Sequence, residues 1–549
     1  LFDQSLQLTF ASVTAIVAMA FPMIEKIRAI GNWRPNAETP VPPDCSKNIK
    51  TFCETLYWSE RNWRREIARS VWEAKLFKTH YAEKLENLNL QKPARYIFEM
   101  TLVSAVVQVW MLPFMVVYFH RISFAAIFLN IGAGMLVALE SLAALTSVAV
   151  AQLSEILALP FIKLTEILNR ILLGFGSFIT DNSWSNMRLP HYSGNLKSIY
   201  VLYFLPVFAL TFLIYQWKPF ALKTKKTKQE SLKQNYIICR LSGGAYLTLL
   251  ALIIFHPFSA PIPDGRLHVD FLDVGQGDSL LVTMPTGETL LVDGGGKPVF
   301  NTLYVKRADE EPEPFEPDTQ GIGETVVSAY LWDRGYDKVD YILATHADTD
   351  HIQGLSDVAR NFKVQGAIFG RTPIQNAEYA ALYRILQKRD IPIIKLSRGQ
   401  IISFDEAKIE VLNPEQDENP QAESDNNHSL VLRVSYGNRN FLLTGDAEKE
   451  AENEMLRSPD FLRSDVVKVA HHGSKTSSTI NFINAAQAKI AIISVGKESP
   501  FGHPKPEIVE RWKSVNAKVL TTGENGTISI STDGRDLQLK TFVGKIIYR

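Results

Sequence analysis

Six residues near the middle of the chain, His346-Ala-Asp348-Thr-Asp350-His351, bring two imidazoles and two carboxylates into one short stretch. They follow an apolar run, Val339–Thr345, and precede a helix-like run, Ile352–Phe362, so they read as a strand-to-helix loop. Four side chains of these types form a cup for a divalent ion. The competing reading, a polar turn with an N-cap aspartate, accounts for acids but not for two histidines. The chemistry such a cup supports is metal-assisted hydrolysis.

Further residues of this kind recur just past strand-like runs. Leu291-Val-Asp293-Gly-Gly-Gly296, Leu443-Thr-Gly445-Asp446 and Val467-Lys-Val-Ala-His471-His472-Gly473-Ser474 each end an apolar run on acids, histidines or glycines. Ser499-Pro-Phe-Gly502-His503-Pro504 adds a histidine in a loop. Any one of these could be an ordinary turn; together they gather the ligands at strand ends. The three cysteines, Cys45, Cys53 and Cys239, lie far from the cup in sequence, which excludes a thiolate site. Cys45 and Cys53 could pair outside the cytoplasm, but spacing leaves that open.

These ligands need a scaffold. From Leu267 onward, short strand-like runs (among them Ser279–Met284, Thr289–Val292, Ser429–Val434, Phe441–Leu443 and Ile490–Val495) alternate with helical runs at Glu324–Arg334, Glu378–Arg389, Glu448–Arg457 and Glu507–Val515. This pattern predicts a layered α/β sandwich. Arg307–Gln320 is acidic and proline-rich and reads as an exposed loop.

The first 260 residues differ. Ser5–Ile24, Met100–Phe119, Ile122–Leu139, Ser198–Trp217 and Leu241–Phe258 are apolar enough to cross a bilayer, which takes about 20 such residues. Gln152–Leu172 places Glu155, Lys163, Glu166 and Arg170 at helical spacing, an amphipathic helix for the interface or the bundle. The basic loop Lys218–Arg240, with Lys223, Lys225, Lys226, Lys228 and Lys233, belongs in the cytoplasm. Everything after Pro261 is then outside. Counting spans backwards, His120-Arg121 falls inside and Gly31–Arg95 outside, although that segment is also basic. Its Trp58, Trp63 and Trp72 stand among Arg61, Arg64, Arg65, Arg69, Lys75 and Lys78, which favours membrane-surface anchoring over base stacking. Over all 549 residues the formal net charge is zero, so nucleic-acid contact would need a local patch. No signal peptide is evident at Leu1.

Asp273-Val-Gly-Gln-Gly-Asp278-Ser279, Leu-Val-Asp293-Gly-Gly, His346-x-Asp348-x-Asp350-His351, Asn426-Asn427-His428-Ser429-Leu-Val-Leu, Thr444-Gly-Asp446, His471-His-Gly-Ser474 and Gly502-His503-Pro504 together resemble the metallo-β-lactamase domain of the ComEC competence proteins. Gln7-Leu-Thr-Phe-Ala-Ser-Val13 and Tyr118-Phe-His-Arg-Ile-Ser123 resemble their membrane domain. The resemblance implies a helical transmembrane bundle (residues 1–260) followed by an α/β four-layer sandwich of the metallo-β-lactamase fold (residues 264–549). It also implies a C-terminal part of such a protein. The implied role is an inner-membrane channel for single-stranded DNA in natural transformation, with a nuclease acting on the strand left outside. Its partners would be single- and double-stranded DNA, the lipid bilayer and other competence proteins.

On this reading His346 and Asp348 bind one divalent ion, Asp350 and His351 a second, Asp446 bridges them and His471 completes the shell. Two ions about 4 Å apart generate hydroxide and stabilise both the attacking and leaving oxygens of a phosphodiester. Asp350, Asp446 and His503 are the expected catalytic groups, with His503 donating to the phosphate or the leaving oxygen. Asp293, Asp273 and His472 are expected behind them as supporting residues. Asn427 stands where lactamases place a histidine, and His428 is set aside because neighbours on a strand face opposite ways. Asp348, where such enzymes carry histidine, enriches the site in oxygen and favours manganese over zinc, with magnesium also possible. Two other readings are a channel with an inactive, DNA-binding lactamase-like module, and an anchored metallohydrolase of lipid or cell-wall phosphodiesters.

Overall fold

The computed structural model describes residues 3–34, 39, 42–59, 64, 79–180, 185–220, 225–297, 321–373, 375–415 and 425–544. Trp63, Trp72, Arg61, Arg65, Arg69, Lys75, Lys78, Lys223 and the run Arg307–Gln320 lie outside them. The chain divides into two compact units, Leu1–Pro257 and Phe258–Arg549.

The first unit is helical: α1 (Gln4–Gly31), α2 (Lys47–Tyr57), α3 (His80–Asn87), α4 (Gln91–Phe119), α5 (Ala125–Ala151), α6 (Glu155–Thr180), α7 (Gly194–Gln216) and α8 (Lys225–Phe255). Helices α1, α4, α5, α7 and the Asn235–Phe255 part of α8 are long and apolar enough to cross a membrane. These are the five apolar runs of the sequence. The lysine-rich segment is less of a loop than expected. Helix α8 starts at Lys225 and runs straight into its apolar part, because Lys, Gln and Glu are good helix formers.

Polar contacts fix which helix ends lie together. At one end, Lys26 Nζ donates to the Tyr215 carbonyl at 3.0 Å, Asp44 N to Pro219 O at 2.7 Å, and Tyr57 Oη to Glu99 at 2.6 Å. At the other end, Tyr118 Oη donates to Gln7 Oε1 at 2.6 Å, Leu189 N to His120 O at 2.8 Å, and Tyr192 Oη to Leu252 O at 3.1 Å. The described parts of Gly31–Arg95 therefore sit at the same end as Lys218, not opposite it as span counting had placed them. The count failed at α5. Helices α5 and α6 form a hairpin whose two ends meet, through Ala125 N to Ser185 O (3.4 Å) and the short ribbon β1 (Arg121–Ser123) with β2 (Asn186–Arg188). The chain thus leaves this hairpin at the end of the bundle where it entered, which one apolar run does not reveal. The charges of α6 pair along the helix, Lys163 and Arg170 both with Glu166, at 3.0 and 2.6 Å.

The second unit is the α/β sandwich. One sheet of eight strands runs β17 (Gln538–Thr541), β16 (Ile528–Thr532), β3 (Leu267–Phe271), β4 (Leu280–Thr283), β5 (Thr289–Val292), β6 (Lys338–Ala344), β7 (Lys363–Phe369), β8 (Ile393–Lys395), and one of seven runs β15 (Lys518–Thr521), β14 (Ile490–Ile493), β13 (Val466–Lys468), β12 (Arg439–Leu443), β11 (Val431–Tyr436), β10 (Ala407–Asn413), β9 (Ile401–Phe404). The strands that matter below are β5, β6, β12, β13 and β14. The inner faces share one core, including Phe271, Val282, Leu343, Phe441 and Ile492. Each outer face is covered by helices over its own core: α9 (Thr349–Asn361) and α10 (Ala377–Lys388) over Leu355 and Tyr379, and α11 (Lys449–Met455), α12 (Ile480–Ala486) and α13 (Pro506–Ser514) over Phe482 and Trp512. The four-layer order helix, sheet, sheet, helix is the predicted fold.

Strands β5 and β6 are parallel, as are β12, β13 and β14. Their carboxyl ends share an edge of the sandwich. This is why Asp293, His346, Asp446 and His472, far apart in sequence, converge.

Candidate metal centre

The first ligands are placed by β6 and α9. Helix α9 begins at Thr349, so Asp350 and His351 occupy its first turn rather than a loop. Asp348 takes the N-cap position, yet its side chain makes no capping hydrogen bond. It faces His346 instead, Oδ2 to Nε2 at 3.5 Å. The polar-turn reading of this segment thus loses its main support.

Glycines let the loops close on this turn. Gly277 has φ +104°, and a Cβ there would lie 2.0 Å from Asp350 O. Backbone bonds stitch the loops together: Asp278 N to Asp350 O at 3.2 Å and Gly294 N to His351 O at 2.7 Å.

Asp446 Oδ2 is the centre of the cluster. It lies 3.3 Å from His351 Nε2 and 3.4 Å from His472 Nε2. Asp350 Oδ2 lies 3.4 Å from His472 Nε2. The ligand atoms of His346, His351 and Asp446, and those of Asp350, His351 and His472, are each close enough to hold one ion. The imidazoles are oriented from behind. Asp293 Oδ2 accepts from His351 Nδ1 at 2.9 Å and from the Thr345 hydroxyl at 2.7 Å, and that hydroxyl lies 3.0 Å from His346 Nδ1. His472 Nδ1 donates to Ser494 O at 2.9 Å. Each ring is thereby tied through Nδ1, and the buried Nε2 atoms of all three take no hydrogen bond. Three oriented, unsatisfied imidazole nitrogens around carboxylates are the donor set a divalent ion fits.

The electrostatics are those of a site built for positive charge. Burial alone would raise Asp446, but His351, His472 and Lys468 hold it well below the usual carboxylate range. Asp350 is likewise held low, against burial, by the adjacent His472 and by the charge of His351. Burial disfavours the charged forms of His351 and His472, yet in both cases Asp446 outweighs it and raises them, helped by Asp293 and by Asp278 respectively. His351 and His472 would have to give up these protons to hold a divalent ion. Metal affinity is therefore expected to rise with pH above about 6.5, by about tenfold per unit for each proton released. Calorimetry in buffers of different ionisation heat checks this; equal heats and a pH-independent affinity would contradict it.

The expected ligands do not all meet. His471 turns away: its Nδ1 lies 3.1 Å from both Glu448 Oε1 and Thr476 Oγ1. His472, expected as a supporting residue, faces the cluster in its place. Both residues have left-handed φ, 50° and 51°, in a tight turn, so strand alternation does not apply to them. His472→Ala is expected to lower metal affinity by at least about 100-fold. His471→Ala should leave metal content intact and shift stability by no more than about 0.5 kcal/mol. Metal analysis after dialysis distinguishes the pair.

Asp278, buried within the cluster, and Lys468 were not singled out from sequence. Asp273 is not in the cluster; its Oδ1 accepts from Gly275 N at 3.2 Å and it shapes the loop that carries Asp278. His503 stands beside His471, ring centroids 6.1 Å apart. Burial and the nearby His472, His471 and Lys505 push it down to about 4, so it is a neutral imidazole at pH 7. That suits hydrogen bonding to a phosphate better than proton delivery. Asn427 does not reach the cluster; its Oδ1 accepts from Ala451 N at 3.3 Å, at the start of α11. His428 lies in a turn (Asp425–His428), not on a strand, and lines a small pocket with His346 and Arg371.

The chain is similar to known proteins in both of its units. Residues 272–497 match the metallo-beta-lactamase superfamily and residues 1–219 match the competence protein family. ComE operon protein 3 of Bacillus subtilis (strain 168) is 28% identical over 432 residues, 78% of this chain and 51% of that protein. Recombination protein 2 of Haemophilus influenzae is 27% identical over 314 residues, 57% of this chain and 34% of that protein. Among solved structures, the metallo-beta-lactamase fold protein YhfI from Bacillus subtilis covers 48% of this chain and 99% of its own, at 12% identity and a TM-score of 0.32.

The second unit is thus a metallo-β-lactamase superfamily domain, a fold that implies divalent metal binding, carried by a membrane protein. The two family matches and the competence-protein relatives together support a ComEC-family competence protein. It spans about half the length of the Bacillus relative and about a third of the Haemophilus one.

Proposed function

We propose that this chain is part of an inner-membrane DNA-uptake channel whose second unit hydrolyses phosphodiester bonds of the strand that is not imported. The observation that carries the enzymatic part is the trio of oriented, unsatisfied Nε2 atoms around Asp446. An inactive binding module has no need to keep every ring tethered and every lone pair aimed.

His346, Asp348 and Asp446 would hold one ion, and Asp350, His351, His472 and Asp446 the other. When bound, such a pair supplies an activated water and charge stabilisation at both reacting oxygens. The protein's own residues do the rest. Asp293 and Thr345 fix the rings of His351 and His346. Asp446 supplies negative charge at the centre. His503, neutral, donates a hydrogen bond to a phosphate oxygen. Three carboxylates among six ligands favour manganese over zinc, with magnesium the alternative.

The basic end of the first unit, with Lys218 and the described parts of Gly31–Arg95, belongs in the cytoplasm. Leu252, leading to the hydrolase unit, lies at the other end of the bundle. This supports an extracytoplasmic hydrolase, which would meet the strand before entry, and thiols rather than a disulfide at Cys45 and Cys53. A substrate panel tests the reading. Full chain in detergent with manganese should degrade DNA, single- or double-stranded, and leave phospholipid and peptidoglycan-linked phosphodiesters intact. The reverse pattern would make it an anchored hydrolase of the envelope.

A further inference from the structure

Lys468 ends β13 with its side chain only 1% exposed. Its Nζ pairs with Asp278 Oδ2, donates to Gly445 O at 2.8 Å, and lies 3.4 Å from Asp446 Oδ1. The two oxygens of Asp446 are thereby divided. Oδ1 faces the ammonium, and Oδ2 faces His351 and His472. Asp278 is divided in the same way, with Oδ1 3.6 Å from His472 Nδ1. Asp278, Asp446 and His472 form a further buried trio whose ligand atoms are close enough for an ion. In this trio a cation is already present, on the protein itself.

We propose that Lys468 is the resident cation of the Asp278–Asp446–His472 trio, excluding a metal from it and aiming Asp446 Oδ2 at the ion-binding side. An ion placed in that trio would sit against an ammonium in a site without water to screen the repulsion. Without the ammonium, the carboxylates would face one another uncompensated and draw in another cation. Lys468 is thus a positioning residue, acting through Asp446 and the Gly445 carbonyl. The inference rests on reading the neighbouring residues as a metal centre.

The test counts manganese per chain by equilibrium dialysis for wild type, Lys468→Ala and Lys468→Ala/Asp278→Asn, each checked for fold by circular dichroism. Lys468→Ala should bind one ion more than wild type. The double variant, having lost a carboxylate of the trio, should return to the wild-type number with at least tenfold weaker affinity. A folded Lys468→Ala that binds the same number as wild type overturns the proposal. Should Lys468→Ala fail to fold, the double variant decides, and unchanged affinity there overturns it. Wild type that binds no manganese breaks the metal-centre reading itself, while the difference between Lys468→Ala and wild type still decides the role of the lysine.

Discussion

Asp446→Asn is expected to reduce metal-dependent hydrolysis by at least about 10³-fold, roughly 4 kcal/mol of transition-state stabilisation. The change keeps the shape of the side chain and removes its charge. Asp446 Oδ2 lies within 3.4 Å of His351 and His472, and Oδ1 at that distance from Lys468, so this one carboxylate balances three nitrogen groups. An amide cannot take that place. It turns either its NH₂ toward an imidazole or its oxygen away from the lysine. A bound ion pair would lose its central carboxylate, and His351 and His472 lose the partner that raises them. In the metal-free protein both rings should then titrate nearer the ordinary histidine value. NMR of the imidazole protons reads that shift, and kcat/KM with saturating manganese reads the activity. An Asp446→Asn variant with wild-type metal content and more than a tenth of wild-type activity would remove Asp446 from the centre.

Gly354→Ala should destabilise the second unit by about 3 kcal/mol, lowering its melting temperature by roughly 6–12 °C. Ordinary helix propensity predicts the opposite, since alanine in place of an interior glycine favours a helix by about 1 kcal/mol. Here the helix is pressed against two backbones. A Cβ at Gly354 would lie 2.0 Å from Gly294 O and 3.1 Å from Gly323 Cα. Relief requires α9 to move off the loop that follows β5. That loop carries Asp293, and α9 carries Asp350 and His351. The packing defect therefore spreads to the site, and metal affinity should fall with stability. Calorimetric melting with and without manganese separates the effects. A variant that melts at or above the wild-type temperature shows that the loop yields instead.

The cup at His346–His351, the aspartates after β5 and β12, and the alternation of strands and helices were legible because each rests on local order. A strand end, a helix start and a ligand between them leave a trace in a few consecutive residues. Short elements were missed, among them strands Ile393–Lys395, Ile401–Phe404 and Gln538–Thr541 and helix α12. The choice between His471 and His472 was not legible, because it depends on two left-handed residues in one turn. Asp278 stood in plain sight within Asp273–Ser279. Its place in the centre comes from the Gly277 turn against α9, a contact across more than 70 positions of sequence. Lys468 reads as an ordinary strand residue until β12 and β13 lie side by side and the loops close over it. In the first unit, hydropathy found the apolar runs but not the pairing of α5 with α6. A charged helix that follows an apolar one back to its starting point carries no distinctive composition.

As proposed, the cluster around Asp446 is a metal-dependent phosphodiesterase centre. Cleavage of end-labelled DNA by the full chain, with manganese and after its removal by chelation, tests this most directly when wild type and Asp350→Asn are run side by side. Wild type should cut only with metal, and the variant should be slower by at least about 10²-fold. Intact DNA in the wild-type reaction with manganese, or equal cutting by both proteins, would contradict it.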